Sequence, residues 1–94
     1  MLAVARLDGR GDDLTSEGSA ALQALAARPG FVRGRLGRLL DEPDTWLLVT
    51  EWDSVGAYRR GLSAYDVKLA ATSLLLRARD EPGAVSVELD VRPA

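Results

Sequence analysis

Residues 45–52, Thr-Trp-Leu-Leu-Val-Thr-Glu-Trp, constrain this chain more than any other stretch. β-Branched and aromatic side chains cluster there, and turn formers bound them on both sides, which predicts a strand. Alternation puts Trp46, Leu48, Thr50 and Trp52 on one face and Thr45, Leu47, Val49 and Glu51 on the other. Both faces are apolar through the middle. A strand in a sheet with one wet face alternates apolar and polar residues. This one does not, so something must cover both of its sides.

The flanking sequence supplies the other elements. Met1 to Leu7 reads as a short apolar strand, and Asp8 to Asp13 as a loop of turn-forming Gly and Asp. That loop spells Arg10-Gly11-Asp12, an adhesion tripeptide that is read here as a solvated turn. Leu14 to Arg28 predicts a helix with Leu14, Gly18, Ala21, Leu22 and Leu25 on one stripe, a cap from Asp13, Thr15 or Ser16, and a stop at Pro29-Gly30. Phe31 to Leu40 predicts a second strand. Val32, Gly34 and Leu36 fall on one face of it, and Phe31, Arg33, Arg35 and Gly37 on the other, with a bulge or bend suggested by the glycines. Asp53 or Ser54 caps a short helix from Val55 to about Gly61, with Val55, Tyr58 and Leu62 on one face. Ser63-Ala64-Tyr65-Asp66 fits a capping box that starts another helix. Leu69, Ala70, Leu74 and Ala78 carry that helix to about Arg79. Ala84 to Val91 alternates cleanly, with Val85, Val87, Leu89 and Val91 against Ser86, Glu88 and Asp90, as expected of an edge strand.

The order is β-α-β-β-α-β, with the second helical region broken near Ser63. Right-handed crossovers turn it into an α+β ferredoxin-like fold: a four-stranded antiparallel sheet with the first and third strands central and helices on one face. Its 94 residues make one domain, 1–94. The helices cover only one apolar face. The simplest cover for the other is a second copy, so a homodimer is expected.

Composition excludes several chemistries. The chain has no cysteine, no histidine and no asparagine, which removes disulfides, thiolate and imidazole metal ligands and the commonest general base. A net charge of −2 offers no field for nucleic acid or an anionic membrane, and no run is long enough to span a bilayer. Met1 to Ala5 is too short for a signal-peptide core, so a cytoplasmic protein is expected. The basic residues are arginine except for Lys68, which with abundant Ala, Gly and Leu hints at a GC-rich bacterial genome. Arg28, Arg33, Arg35 and Arg38 form the one basic concentration. They read either as a protected sheet edge or as an anion contact.

Three stretches resemble the antibiotic biosynthesis monooxygenase domain family: Pro29-Gly30-Phe31-Val32, then Trp46 to Ser54, then Ala57-Tyr58-Arg59-Arg60. The resemblance runs from about Met1 to Val91. It implies a dimeric α/β barrel in which two ferredoxin-like sheets close face to face. It further implies a cofactor-independent oxidation of a small aromatic molecule, phenolic and polyketide-like, with no metal. The family's haem-degrading branch uses an Asn and a His, and this chain has neither. The polyketide branch uses an Asn, a Trp, a Tyr and an Arg. Trp52 matches the Trp, Tyr58 and Tyr65 fall where the family places pocket residues, and the Asn has no counterpart. Trp52, Tyr58 and Tyr65 are thus the expected catalytic residues. Phe31, Arg33, Arg35, Trp46 and Asp66 are the expected substrate contacts, as aromatic walls, a phenolate clamp and a base, with Glu51 the other candidate base. The alternative is a non-catalytic dimeric module of the same fold. A cavity between sheet and helices lined by Trp52 and a tyrosine would favour the oxygenase, and a filled core the module.

Overall fold

In the computed structural model, which describes residues 1–94, the two-faced strand lies inside a sheet, as its pattern requires. The chain runs β1 (Leu2–Asp8), α1 (Thr15–Ala26), β2 (Phe31–Arg38), β3 (Thr45–Trp52), α2 (Val55–Ser63), α3 (Tyr65–Leu75) and β4 (Ala84–Val85). The strands order β2-β3-β1-β4 and every pair is antiparallel. This is the ferredoxin-like arrangement, with the first and third strands central and the other two at the edges.

Register decides which side chains meet the helices. Ala3, Ala5 and Leu7 of β1 stand opposite Thr50, Leu48 and Trp46 of β3. These rows face the helix layer and belong to the core or border it. Leu2, Val4 and Arg6 stand opposite Glu51, Val49 and Leu47 on the other face, which no element of the chain covers. Helix α1 buries Leu14, Gly18, Ala21 and Leu25, as its stripe predicts. Asp13 accepts from the backbone N–H and the hydroxyl of Thr15 at the start of α1, and these bonds hold its carboxyl below the usual carboxylate range. Ser54 caps α2 by accepting from Ala57 N at 3.1 Å.

Four expectations are corrected. The bulge in β2 falls at Val32, not at a glycine: Phe31 pairs with Trp52 and Arg33 with Glu51, so Val32 is the extra residue. It moves Phe31 off the arginine face and onto the helix side. Burying an aromatic ring there outweighs strict alternation. Helix α3 is rotated from the expected stripe: Val67, Ala71 and Leu74 are buried while Leu69 is 68% exposed. The capping box does not form. Ala64 occupies the cap position, the Ser63 hydroxyl donates to Arg59 O instead, and Val55 at the head of α2 stays exposed. Finally, the fourth strand is two residues long rather than eight. Residues 86–94 are exposed and have no strand partner, because Val85 already stands opposite Leu2, the first residue of β1, and the antiparallel chain then runs past its end.

The segment after α3 is held by side chains. Arg77 reaches Asp12 and Glu17, each at 3.1 Å, and donates to Asp8 O; the two carboxylates hold its guanidinium protonated more firmly than usual. Asp12 of the Arg-Gly-Asp turn is therefore engaged within the chain, and Arg10 pairs with Asp8.

The turn between α1 and β2 depends on Gly30. Its φ is +86°, and an added Cβ would lie 2.5 Å from the Ala57 Cβ. Gly30→Ala is expected to destabilise the fold by about 2–4 kcal/mol, combining left-handed strain with overpacking. Chemical denaturation should show that adding Ala57→Gly restores only the packing share.

Candidate functional site

An apolar chamber of about 90 Å³ lies between the sheet and the helices. It exists because β1 presents alanines, Ala3 and Ala5, to the helix side where larger residues would fill the layer. Leu48, Thr50 and Trp52 of β3 complete the sheet wall. Leu25, Tyr58, Leu62 and Leu75 come from α1, α2 and α3. Thr50 is the one lining side chain outside the hydrophobic set.

Trp52 anchors one end. It is 1% exposed, and the rings around it meet edge to face: Phe31 at 5.2 Å and 90°, Tyr58 at 6.0 Å and 62°. Edge-to-face pairs add about 0.5–1.5 kcal/mol each beyond area burial. The indole Nε1–H donates to Thr50 Oγ1 at 3.0 Å, so the one polar atom of the ring is satisfied inside the core. Gly61 of α2 lies over the ring, and a Cβ there would stand 2.6 Å from Trp52 Cη2. Tyr58 lines the chamber with its ring. Its hydroxyl has no protein partner and keeps accessible surface.

The structure brings together Trp52, Tyr58 and Phe31 from the expected set, Phe31 standing behind Trp52 rather than in the lining. The others lie elsewhere. Tyr65 is 73% exposed at the head of α3, and Asp66 beside it is exposed with no hydrogen bond. Arg33 and Arg35 pair with Glu51 and Val49 and so project from the opposite face of the sheet, with Glu51. Trp46 is buried on the chamber's side of the sheet but at the far end of β3. Arg38 stacks on it with its guanidinium carbon 4.4 Å from the ring centroid. The bulge at Val32 is what separates Phe31 from the arginines.

Sequence reasoning misses two features of the chamber. Thr50 reads only as a strand residue, although a hydroxyl on an otherwise apolar face is a signal in itself. The alanines of β1 read only as part of an apolar strand, although small residues on a central strand leave room. No group of three or more His, Cys, Asp or Glu side chains comes together as a metal site.

No family model matches the chain, and no curated protein matches it in sequence. Solved structures do. SnoaB, a cofactor-independent oxygenase from Streptomyces nogalater, superimposes with a TM-score of 0.84 at 24% identity, over 98% of this chain and 96% of that one. Rv0793 from Mycobacterium tuberculosis gives 0.68 at 19% identity, over 99% and 96%. A candidate antibiotic biosynthesis monooxygenase from Bordetella bronchiseptica gives 0.66 at 19% identity, over 97% and 96%. The chain therefore has the small α+β, ferredoxin-like fold of proteins named as antibiotic biosynthesis monooxygenases. At these identities the likeness is one of fold.

Gly61→Ala tests how tightly α2 seats on Trp52. Overpacking is expected to cost about 1–3 kcal/mol. The near-ultraviolet circular dichroism of the indole should change while the far-ultraviolet spectrum holds.

Proposed function

We propose that this protein is a cofactor-independent monooxygenase of the antibiotic biosynthesis type, acting on a phenolic, polyketide-like aromatic molecule. The observation that carries the reading is the apolar chamber between sheet and helices, walled by Trp52 and Tyr58. The shared fold with an oxygenase that needs no cofactor supports it.

The chemistry suits such a chamber. An ionised phenol gives one electron to dioxygen, and the radical pair joins through a new C–O bond to leave a peroxide on a ring carbon. Loss of water then leaves a quinone carbonyl. One oxygen atom stays in the product, the other leaves in water, and both hydrogens of that water come from the substrate. The protein's part is to exclude bulk water, hold the ring and place hydrogen-bond donors. Trp52, braced by Phe31, supplies a flat wall, and Tyr58 supplies a ring and a hydroxyl at the mouth. No carboxylate or imidazole lines the chamber, so the substrate must ionise readily on its own. Polyhydroxylated aromatics and anthrones meet that condition.

A second reading, a non-catalytic ligand-binding module, is favoured by size. The chamber's 90 Å³ is below the roughly 150 Å³ of an apolar cavity that takes up benzene. Larger rings need the chamber to widen. An oxygen electrode separates the two readings. With a phenolic anthrone, oxygen uptake should match quinone formed one to one, with chelator present. The Trp52→Phe, Tyr58→Phe double variant should lose about 100-fold or more of the rate. Saturable ligand binding without uptake would establish the module.

Both readings take the protein as a homodimer. The open sheet face carries Leu2, Val4, Leu47, Val49 and Val85. Residues 86–94 add exposed Val87, Leu89 and Val91. A second copy would cover these apolar surfaces, and Glu88 and Asp90 of the segment are opposite in charge to Arg33 and Arg35 on β2. Light scattering should give twice the chain mass. Truncation after Val85 should weaken the dimer at least about tenfold, equivalent to about 1.4 kcal/mol. A monomeric full chain would end the dimer reading.

A further inference from the structure

The geometry points to Thr50, not the indole of Trp52, as the residue that receives the oxygen atom of a ligand ring in the chamber. This deepens the reading of the chamber as a substrate site and rests on it.

Trp52 has one polar hydrogen, on Nε1, and Thr50 Oγ1 takes it at 3.0 Å. The indole therefore presents only carbon to a ligand. The Tyr58 hydroxyl has no partner in the chain, but it keeps accessible surface on a half-buried residue. A threonine hydroxyl has one proton to give and two lone pairs to accept with. Thr50 uses one lone pair on Trp52, and none of the chain's side-chain hydrogen bonds has Thr50 as the donor. The residue is 4% exposed and lines the chamber, where every other wall is apolar. The unspent O–H is thus a donor on a buried residue of the chamber, without an acceptor from the chain, where the other such donor, Tyr58, is only half-buried.

The pair is also arranged so that one bond strengthens the next. An N–H donated into the threonine oxygen polarises its O–H, and in a low-dielectric site such chains reinforce each other. Trp52 acts through Thr50. The line Trp52 Nε1–H to Thr50 Oγ1–H to a ring oxygen selects hydroxylated or carbonyl-bearing rings over bare hydrocarbons of the same size. A purely apolar pocket does not discriminate in that direction, because an added hydroxyl must then be buried unpaired.

The test uses phenol and benzene as probes on the full chain and needs no turnover. The chain has two tryptophans, so nitrogen-15 spectra show two indole N–H signals, and Trp46 serves as the internal reference. Phenol is expected to move the Trp52 indole signal well beyond any movement of Trp46, and benzene to move it much less. Calorimetry then compares the phenol-to-benzene affinity ratio. Thr50→Val, nearly the same shape, should lower the ratio about tenfold, and Thr50→Ser should keep it. An unchanged ratio in Thr50→Val overturns the assignment. So does phenol binding that leaves the Trp52 signal still, a readout on the unaltered protein that stands even if the valine variant fails to fold. No phenol binding at all also overturns it. A protein that shows the ratio but never consumes oxygen keeps the Thr50 assignment and loses the oxygenase reading. A protein that consumes oxygen with an unchanged ratio does the reverse.

Discussion

The burial of Trp52 is the constraint from which the rest of the architecture follows. An indole at 1% exposure must have its apolar faces packed and its N–H satisfied. Phe31, Tyr58, Gly61 and Thr50 each meet one of those demands. They come from β2, α2 and β3, so one side chain sets the relation of three elements. The bulge at Val32, the glycine in α2 and the left-handed turn at Gly30 are local departures from regular structure, and all three let elements close around this ring.

That closure is also why a chamber remains. The aromatic cluster holds α2 over the end of β3, while α1 and α3 pack against each other. Between these two anchorages lie Ala3 and Ala5, too small to fill the interval. The space is bounded by strands on one side and by Leu25, Tyr58, Leu62 and Leu75 of the three helices on the other.

The topology was legible because it is written in periods. The two apolar faces of β3 placed it inside a sheet, the α1 stripe showed its buried side, and Ser54 and Gly30 marked element ends. Less was legible where tertiary contacts override a period. Phe31 crosses to the helix side because a ring is worth more there than alternation. Leu69 lies exposed because Val67 and Ala71 fit the space beside α1. Val87, Leu89 and Val91 alternate like a strand yet find no partner within the chain. In the candidate site, Trp52, Tyr58 and Phe31 could be picked out as aromatics. Thr50 could not, since its importance depends on a hydrogen bond that only the folded sheet reveals.

The outer flank of β1 is served by two separate pieces, one at Ala78 and one at Ala84–Val85, with Asp80-Glu81-Pro82 between them. The first piece is bolted down by Arg77 to Asp12 and Glu17 and by Arg79 to Thr45, while the second rests on a few backbone bonds. Pro82 has no N–H to give to a ladder, so β1 is paired on this flank by two short segments rather than by one continuous strand.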